Sequence, residues 1–277
     1  MSTTNPLQSH FRQPALYIKL PSEGRFWPDG AIEIGASGEI AVYPMTARDE
    51  IMLKTPDALM NGESTVQVIQ SCVPAIKNAW AVPTLDLDSI LIAIRIASYG
   101  EELEIRSVCP ECKESNEYEF DLRSIGEIDR KVNWDQPIET DDLKIYLKPQ
   151  DFFTYNQANM ETFEEQKLIL LANQEGVSEE DKLRRFTEIF QKLTNLGINN
   201  IVKGIERIII NDLETVTNEQ FIREFVENTD RKIYDLLSTR IKEIKETVST
   251  KPLSITCGSC SHNYQTPFNL EESNFFG

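Results

Sequence analysis

Two short stretches, Cys109-Pro110-Glu111-Cys112 and Cys257-Gly258-Ser259-Cys260, decide how the rest of this chain is read. Leu103-Glu104-Ile105-Arg106-Ser107-Val108 precedes the first pair and Tyr118-Glu119-Phe120-Asp121-Leu122 follows it. Leu253-Ser254-Ile255-Thr256 precedes the second pair, with Tyr264 and Phe268 beyond it. Alternation of apolar and polar residues is the signature of a strand, so each pair is expected at the tip of a β-hairpin. A Cys-x-x-Cys turn brings two sulfurs to one point while its backbone amides face them, and Pro110 and Gly258 suit such a tight turn. Two such turns supply the four thiolates of a closed tetrahedral zinc site, with Zn–S near ~2.3 Å. A closed site leaves no position open for water or substrate and is structural rather than catalytic. The expected ligands of one structural Zn2+ are Cys109, Cys112, Cys257 and Cys260.

The separation of the pairs is unusual: the 144 residues from 113 to 256 lie between them, far more than a compact zinc ribbon holds. The simplest reading is one ribbon divided by a long, mostly helical insertion, with the metal closing a loop long enough for a crosslink to have its largest effect. Other arrangements compete with it. Each half-site could be completed by another subunit, or His262 could stand in as a ligand, although it reads better as an exposed strand residue. A thioredoxin-type redox pair needs a strand-to-helix setting that neither stretch has. The fifth cysteine, Cys72 in Val68-Ile69-Gln70-Ser71-Cys72-Val73, sits on an apolar helical stretch and reads as a buried packing residue.

Working outward, the fold class is α+β: an N-terminal β-hairpin region, a helical body and a split four-cysteine ribbon. The expected organisation is a flexible arm at 1–14, a hairpin and helical domain at 15–100, the first ribbon half at 101–125, the insertion at 126–250 and the second ribbon half at 251–277. Leu16 to Leu20 reads as a strand stopped by Pro21. Ala31 to Ile34 and Glu39 to Tyr43 read as a hairpin around Gly35-Ala36-Ser37-Gly38, a turn without the lysine and spacing of a phosphate loop. Thr46 with Asp49 marks a helix start, Pro56 and Gly62 break the next stretch, and helices are expected over Ser64–Cys72 and Asp86–Tyr99, the latter ended by Gly100.

Within the insertion, Leu143 to Leu147 alternates as a strand closed by Pro149. Leu183, Phe186, Ile189, Phe190 and Leu193 fall at helical spacing, with Ser178 and Asp181 as a start signal and Gly197 as a stop. Thr217 with Gln220 predicts a short helix through Phe221 and Phe225. Thr229 predicts the start of a longer one carrying Ile233, Leu236, Leu237, Ile241, Ile244 and Val248 on one side. Ile205 to Ile210 is equally readable as helix or strand.

Composition narrows the function classes. Hydrophobic residues at 40% and charged residues at 26% are an ordinary globular balance, and 277 residues suffice for a real core. The most apolar candidate for a membrane span, Ile90 to Ala97, is short and broken by Arg95, and Met1 to His10 lacks the order of a secretory signal; action in a cytoplasm is expected. A formal net charge of −17 repels phosphate backbones, so nucleic acid is a poor partner and a protein partner a better one. Lys182, Arg184 and Arg185, and Arg240, Lys242 and Lys245, lie in acidic helical segments and read as solvated faces. No catalytic or cofactor-binding set is found. The two histidines are His10 and His262, and acid pairs such as Asp86 with Asp88 or Glu179 with Glu180 read as solvated faces in so acidic a chain. A zinc-ribbon nucleic-acid or transcription-related factor is the alternative reading, and the charge weighs against it.

Three further segments carry a family likeness: Leu20-Pro21-Ser22-Glu23-Gly24-Arg25-Phe26-Trp27, Val42-Tyr43-Pro44-Met45-Thr46-Ala47-Arg48-Asp49-Glu50, and the terminal Asn274-Phe275-Phe276-Gly277. With the split cysteine pairs, nearly the whole chain resembles the T4-type bacteriophage baseplate proteins, the family of the baseplate hub subunit and the hub assembly catalyst. The resemblance implies a non-enzymatic role in building a contractile phage tail, in or around the baseplate hub, in a virion assembled in the host cytoplasm. It implies other hub and tail proteins as partners, the tape measure protein among them. It carries the zinc ligands over as Cys109, Cys112, Cys257 and Cys260, and Pro44-Met45-Thr46 as a junction between hairpin and helix.

Overall fold

The computed structural model describes residues 5–54, 62–126, 132–140, 142–172 and 179–266. The chain divides into two compact units, Met1–Asp129 with Thr250–Gly277, and Arg130–Ser249. In the first unit a 3-10 turn at Pro6–His10 leads to strand β1 (Leu16–Lys19), which pairs antiparallel with β2 (Glu39–Val42). Here the expected hairpin is corrected. Glu39 to Val42 pairs with residues 16–19 rather than with 31–34, because Ile32 bridges Ile76 instead. The Gly35–Gly38 turn forms, but it ends a loop. Near the end of the expected arm, the Arg12 guanidinium donates to the carbonyls of Pro44 (2.5 Å) and Ser71 (2.7 Å) and lies 3.4 Å from Asp49 Oδ2.

Helix α1 (Ala47–Leu53) starts at the Thr46–Asp49 capping box, as expected. Asp49 does more than cap: it is buried, and its Oδ2 also accepts from Ser71 Oγ at 3.1 Å. Helix α2 (Glu63–Cys72) ends at the buried Cys72, whose thiol is pushed up to about 12, first by burial and then by the Asp49 charge. Helix α3 (Thr84–Tyr99) is apolar almost all round, with Leu85, Leu87 and the run Ile90 to Ile94 buried, so it forms the spine of this unit. Gly100, at φ +91°, ends it. The chain then turns into β3 (Glu102–Val108) and β4 (Ser115–Asp121), followed by the short α4 (Leu122–Gly126).

The second unit is mostly helical, as its sequence suggests. It contains a four-stranded antiparallel sheet of β5 (Ile138–Glu139), β6 (Leu143–Leu147), β7 (Ile205–Ile210) and β8 (Glu214–Val216), in that order. The ambiguous stretch 205–210 is therefore strand. Asn211 and Asp212, both at positive φ (48° and 58°), form the tight turn that returns it to β8. Between β6 and β7 run the helices α5 (Phe152–Ala172) and α6 (Glu179–Gly204). Helix α6 passes through Gly197, the expected stop. A Cβ there would lie 3.5 Å from Tyr234 Oη, and one at Gly204 3.3 Å from Ile241 Cδ1, so these glycines permit close helix packing.

Helix α7 (Glu219–Asn228) is capped by Asn218, whose Oδ1 accepts from the amides of Gln220 and Phe221, and α8 (Arg231–Val248) by Asp230. Both starts lie one residue beyond Thr217 and Thr229, the expected caps. Ile145, Leu147, Ile201, Val202, Ile205, Ile208, Ile222, Val226 and Leu237 make this unit's core. Exposed members of the expected stripes stay out of it, Phe190 at 67%, Phe221 at 61% and Leu236 at 43% exposure. Arg240 and Lys242 pair with Glu243 and Glu246 on the solvent side. The chain re-enters the first unit at Thr250 and ends its described part in β9 (Leu253–Thr256) and β10 (Asn263–Thr266). Pro56, Ser178, Phe268 and the terminal Asn274-Phe275-Phe276-Gly277 lie outside the described residues, as do the side chains of Leu183, Glu179 and Glu180.

Candidate metal centre

The structure brings all four cysteines of the two pairs together. Each pair sits between the strands of its hairpin, β3–β4 or β9–β10, and the two tips share one local geometry. In the first, the Cys109 amide donates to the Glu114 carbonyl at 2.9 Å and the Lys113 amide to the Cys109 carbonyl at 3.0 Å. In the second, the Cys257 amide donates to the His262 carbonyl at 2.9 Å and the Ser261 amide to the Cys257 carbonyl at 2.9 Å. Lys113 (φ 61°) and Ser261 (φ 59°) occupy the left-handed region at equivalent positions. Such a conformation costs a non-glycine residue on the order of 1 kcal/mol, and here it curls each chain around its sulfurs.

The four sulfurs all lie within 4.8 Å of one another, with Cys109 to Cys260 at 3.7 Å and Cys112 to Cys257 at 3.6 Å. These are not disulfide distances, and all five cysteines are free. They match the edge of a sulfur tetrahedron around one ion, which is about 3.8 Å for a Zn–S bond of ~2.3 Å. The donor set thus fits a metal ion such as zinc. Cys109 and Cys257 are buried, while Cys112 and Cys260 reach the surface. The Cys260 backbone amide, pointing at the Cys257 sulfur, pushes that thiol down, while the thiols of Cys112 and Cys260 are pushed up, so without a cation the four sulfurs do not ionise together.

Side-chain hydrogen bonds also join the hairpins, two outside the sulfurs and one to a sulfur. Ser107 Oγ donates to Thr266 Oγ1 at 3.2 Å, Tyr118 Oη to the Thr256 carbonyl at 3.2 Å, and Asn116 Nδ2 to Cys257 Sγ at 3.5 Å. His262 is not among the clustered ligands; it is exposed, with its ring stacked on Tyr264 at 6.2 Å.

Sequence reasoning missed a second organising residue. Asp86, expected on a solvated face, is fully buried. Its Oδ1 accepts from the Ser22 amide at 2.8 Å, and its Oδ2 from Ser22 Oγ at 2.5 Å and Trp27 Nε1 at 2.8 Å. Burial pushes its carboxyl above the usual aspartate range. The Leu20–Trp27 segment is thus a turn folded onto one carboxylate. Gly24 suits it because φ +87° strains any L side chain, and a Cβ there would also push on the Ile34 side chain, 2.8 Å from its Cδ1. Asp88, the other member of that acid pair, accepts from Thr250 Oγ1 at 2.5 Å. The second motif is anchored in the same way, with the Met45 amide donating to Ser98 Oγ at 2.9 Å.

A four-sulfur cluster that joins distant strands, in a chain where buried Asp49 serves a cap and buried Asp86 a turn, defines an α+β protein with a four-thiol site that could hold a metal ion. The chain belongs to the T4 bacteriophage base plate protein family, whose family model matches residues 17–276. No curated protein and no solved structure matches it. Membership gives the protein a structural role in the phage baseplate, a location in the tail baseplate, and other phage tail and baseplate proteins as associates. No helix among the described residues is long and apolar enough to cross a membrane.

Proposed function

We propose that this protein is a non-enzymatic structural or assembly subunit of the baseplate hub of a contractile tail, held together by one structural zinc ion on Cys109, Cys112, Cys257 and Cys260. The observation that carries the zinc reading is the set of sulfur separations, within 4.8 Å throughout, in a donor set of four thiols. Once bound, the ion supplies a crosslink without an open coordination position. The residues 101–125 and 251–277 then act as one ribbon, and 126–250 as an insertion. The division into units at Asp129/Arg130 and Ser249/Thr250 supports that organisation. The family match over residues 17–276 supports a docking role among hub proteins, with the tape measure protein as one partner. The net charge of −17 favours protein partners over nucleic acid.

Elemental analysis of the purified protein is expected to give one zinc per chain, and Cys112→Ser none; metal-free wild-type protein would overturn the zinc reading. A tagged copy expressed during infection should co-purify with hub and tail proteins. Recovery of host enzymes alone would overturn the hub reading. A gel-shift titration at low salt is expected to stay flat, and a salt-sensitive shift would favour a nucleic-acid role instead.

A further inference from the structure

The two cysteine knuckles repeat each other at a constant offset. Cys109, Cys112, Lys113 and Glu114 occupy the roles of Cys257, Cys260, Ser261 and His262. The repeat breaks at Asn116, whose counterpart is Tyr264. Tyr264 turns its ring to His262. Asn116 instead sends its side-chain amide across to the opposite hairpin, with Nδ2 3.5 Å from Cys257 Sγ. The same Nδ2 lies 3.2 Å from the Glu114 carbonyl, the group that receives the Cys109 amide in the first knuckle. Both neighbours of this nitrogen are acceptors, which fixes the amide's orientation. On its other side, a Cβ at Gly258 would stand 3.4 Å from Asn116 Oδ1, so the amide is packed to contact distance against the second knuckle. Cys109, the counterpart of Cys257, receives no side-chain amide among the described residues.

We infer that Asn116 is a positioning residue of the metal centre: it holds the Cys257 sulfur from the opposite hairpin and makes the four-thiolate site asymmetric and slow to release its ion. The inference rests on the zinc reading above. A thiolate carries charge which an N–H donor stabilises, and an outer-shell donor that orients a ligand commonly raises metal affinity by about 10- to 100-fold. The donor reaches the buried sulfur, while the exposed Cys112 and Cys260 remain the side from which a chelator enters. Ion loss therefore begins at Cys112 and Cys260 and is completed only when Cys257 lets go.

The test compares zinc-loaded wild-type protein with Asn116→Leu, which keeps the bulk and removes the donor, and with Asn116→Ala, which removes the amide without bulk. Ser107→Ala is the control: it breaks another bond between the hairpins, to Thr266, that touches no sulfur. Release of zinc to a chromogenic chelator is expected to be about tenfold faster in both Asn116 variants and unchanged in Ser107→Ala. In the cobalt(II)-substituted proteins the sulfur-to-metal charge-transfer band should move to lower energy in the Asn116 variants alone, because an unbonded thiolate gives up its electron more easily. Wild-type rates and an unmoved band in Asn116→Leu and Asn116→Ala, with the metal bound, would overturn the role of Asn116 and leave the zinc reading intact. Equal acceleration in Ser107→Ala would show that hairpin adhesion in general is responsible and would overturn it too. Wild-type protein that takes up neither zinc nor cobalt would overturn both.

Discussion

The paired hairpins β3–β4 and β9–β10 and the sheet β5–β6–β7–β8 are both small antiparallel assemblies, closed in opposite ways. In the sheet, Ile145, Leu147, Ile205 and Ile208 point into a core completed by Ile222, Val226 and Leu237 from the helices beside it. In the hairpins the strands alternate between exposed and half-buried residues, and what is buried beside the sulfurs amounts to little more than Leu103, Ser107 and Ile255. A two-stranded hairpin is marginal by itself in water. The sheet obtains its stability from burying apolar area, and the hairpins depend on four sulfurs meeting at one point. Closure by burial is graded, and loss of one methyl group weakens it slightly. Closure by ligation is close to all-or-none, because an incomplete ligand set no longer holds its ion.

The sharpest way to break this contrast is to remove the proposed zinc ion. Structural zinc contributes on the order of 10 kcal/mol to small domains that need it. Cys112→Ser, or chelation, should therefore raise hydrogen exchange throughout β3, β4, β9 and β10 while amides of β6 and β7 keep their protection. Equal loss in both regions would show that the two closures are not independent. The converse substitution is Leu237→Ala, at a fully buried position in the sheet's core. It should cost about 2–5 kcal/mol in urea unfolding followed by a probe in α8, with zinc stoichiometry unchanged.

A third variant examines polar closure. Asp86→Asn turns an amide toward the three donors from Ser22 and Trp27 and should cost about 1–3 kcal/mol in the first unit. Its pH dependence has a defined sign. The folded carboxyl titrates above the ordinary value of 3.8, so the stability that Asp86 contributes is fully present below that value. It is lost as pH rises through the elevated folded pKa. The wild-type advantage over Asp86→Asn in urea midpoint should therefore shrink as pH rises from about 4, and acid loss of metal cancels between the two proteins. An advantage that grows with pH would reverse the assignment. The smallest effect belongs to the turn after β7. Asp212→Ala places a Cβ-bearing residue without a local hydrogen-bonding group at φ 58° and removes the exposed Lys144 pair. It should lower the midpoint of the second unit only slightly, the screened pair contributing little.

The sequence revealed most where the physics is local. Cysteine spacing between alternating segments located the cluster, and Thr46 with Asp49 located a helix start. It failed where the deciding partner is remote. Asp86 looks like any carboxylate in an acidic chain until Ser22 and Trp27, some sixty residues earlier, fold onto it. The Gly35–Gly38 turn suggested a local hairpin, but β1 outcompetes residues 31–34 for β2, and Ile32 is taken by Ile76. Gly197 looked like a stop because nothing in its neighbourhood announces that Tyr234 will pack against it. The one correctable miss is Ile205–Ile210. Its six residues have no useful period, but Asn211-Asp212 directly after them is a pair that tolerates the two positive φ values of a tight hairpin turn.

The placement of the knuckles at either end of an intact second unit also sets an order of synthesis. Cys109 and Cys112 leave the ribosome long before Cys257 and Cys260 exist, and at about 5–20 residues per second the first two wait roughly 7–30 s for their partners. During that interval the nascent chain carries the first dithiol without its partners while the intervening unit emerges. On the proposed zinc reading the ribbon is thus the last part of the described chain to close, with everything between its halves already made.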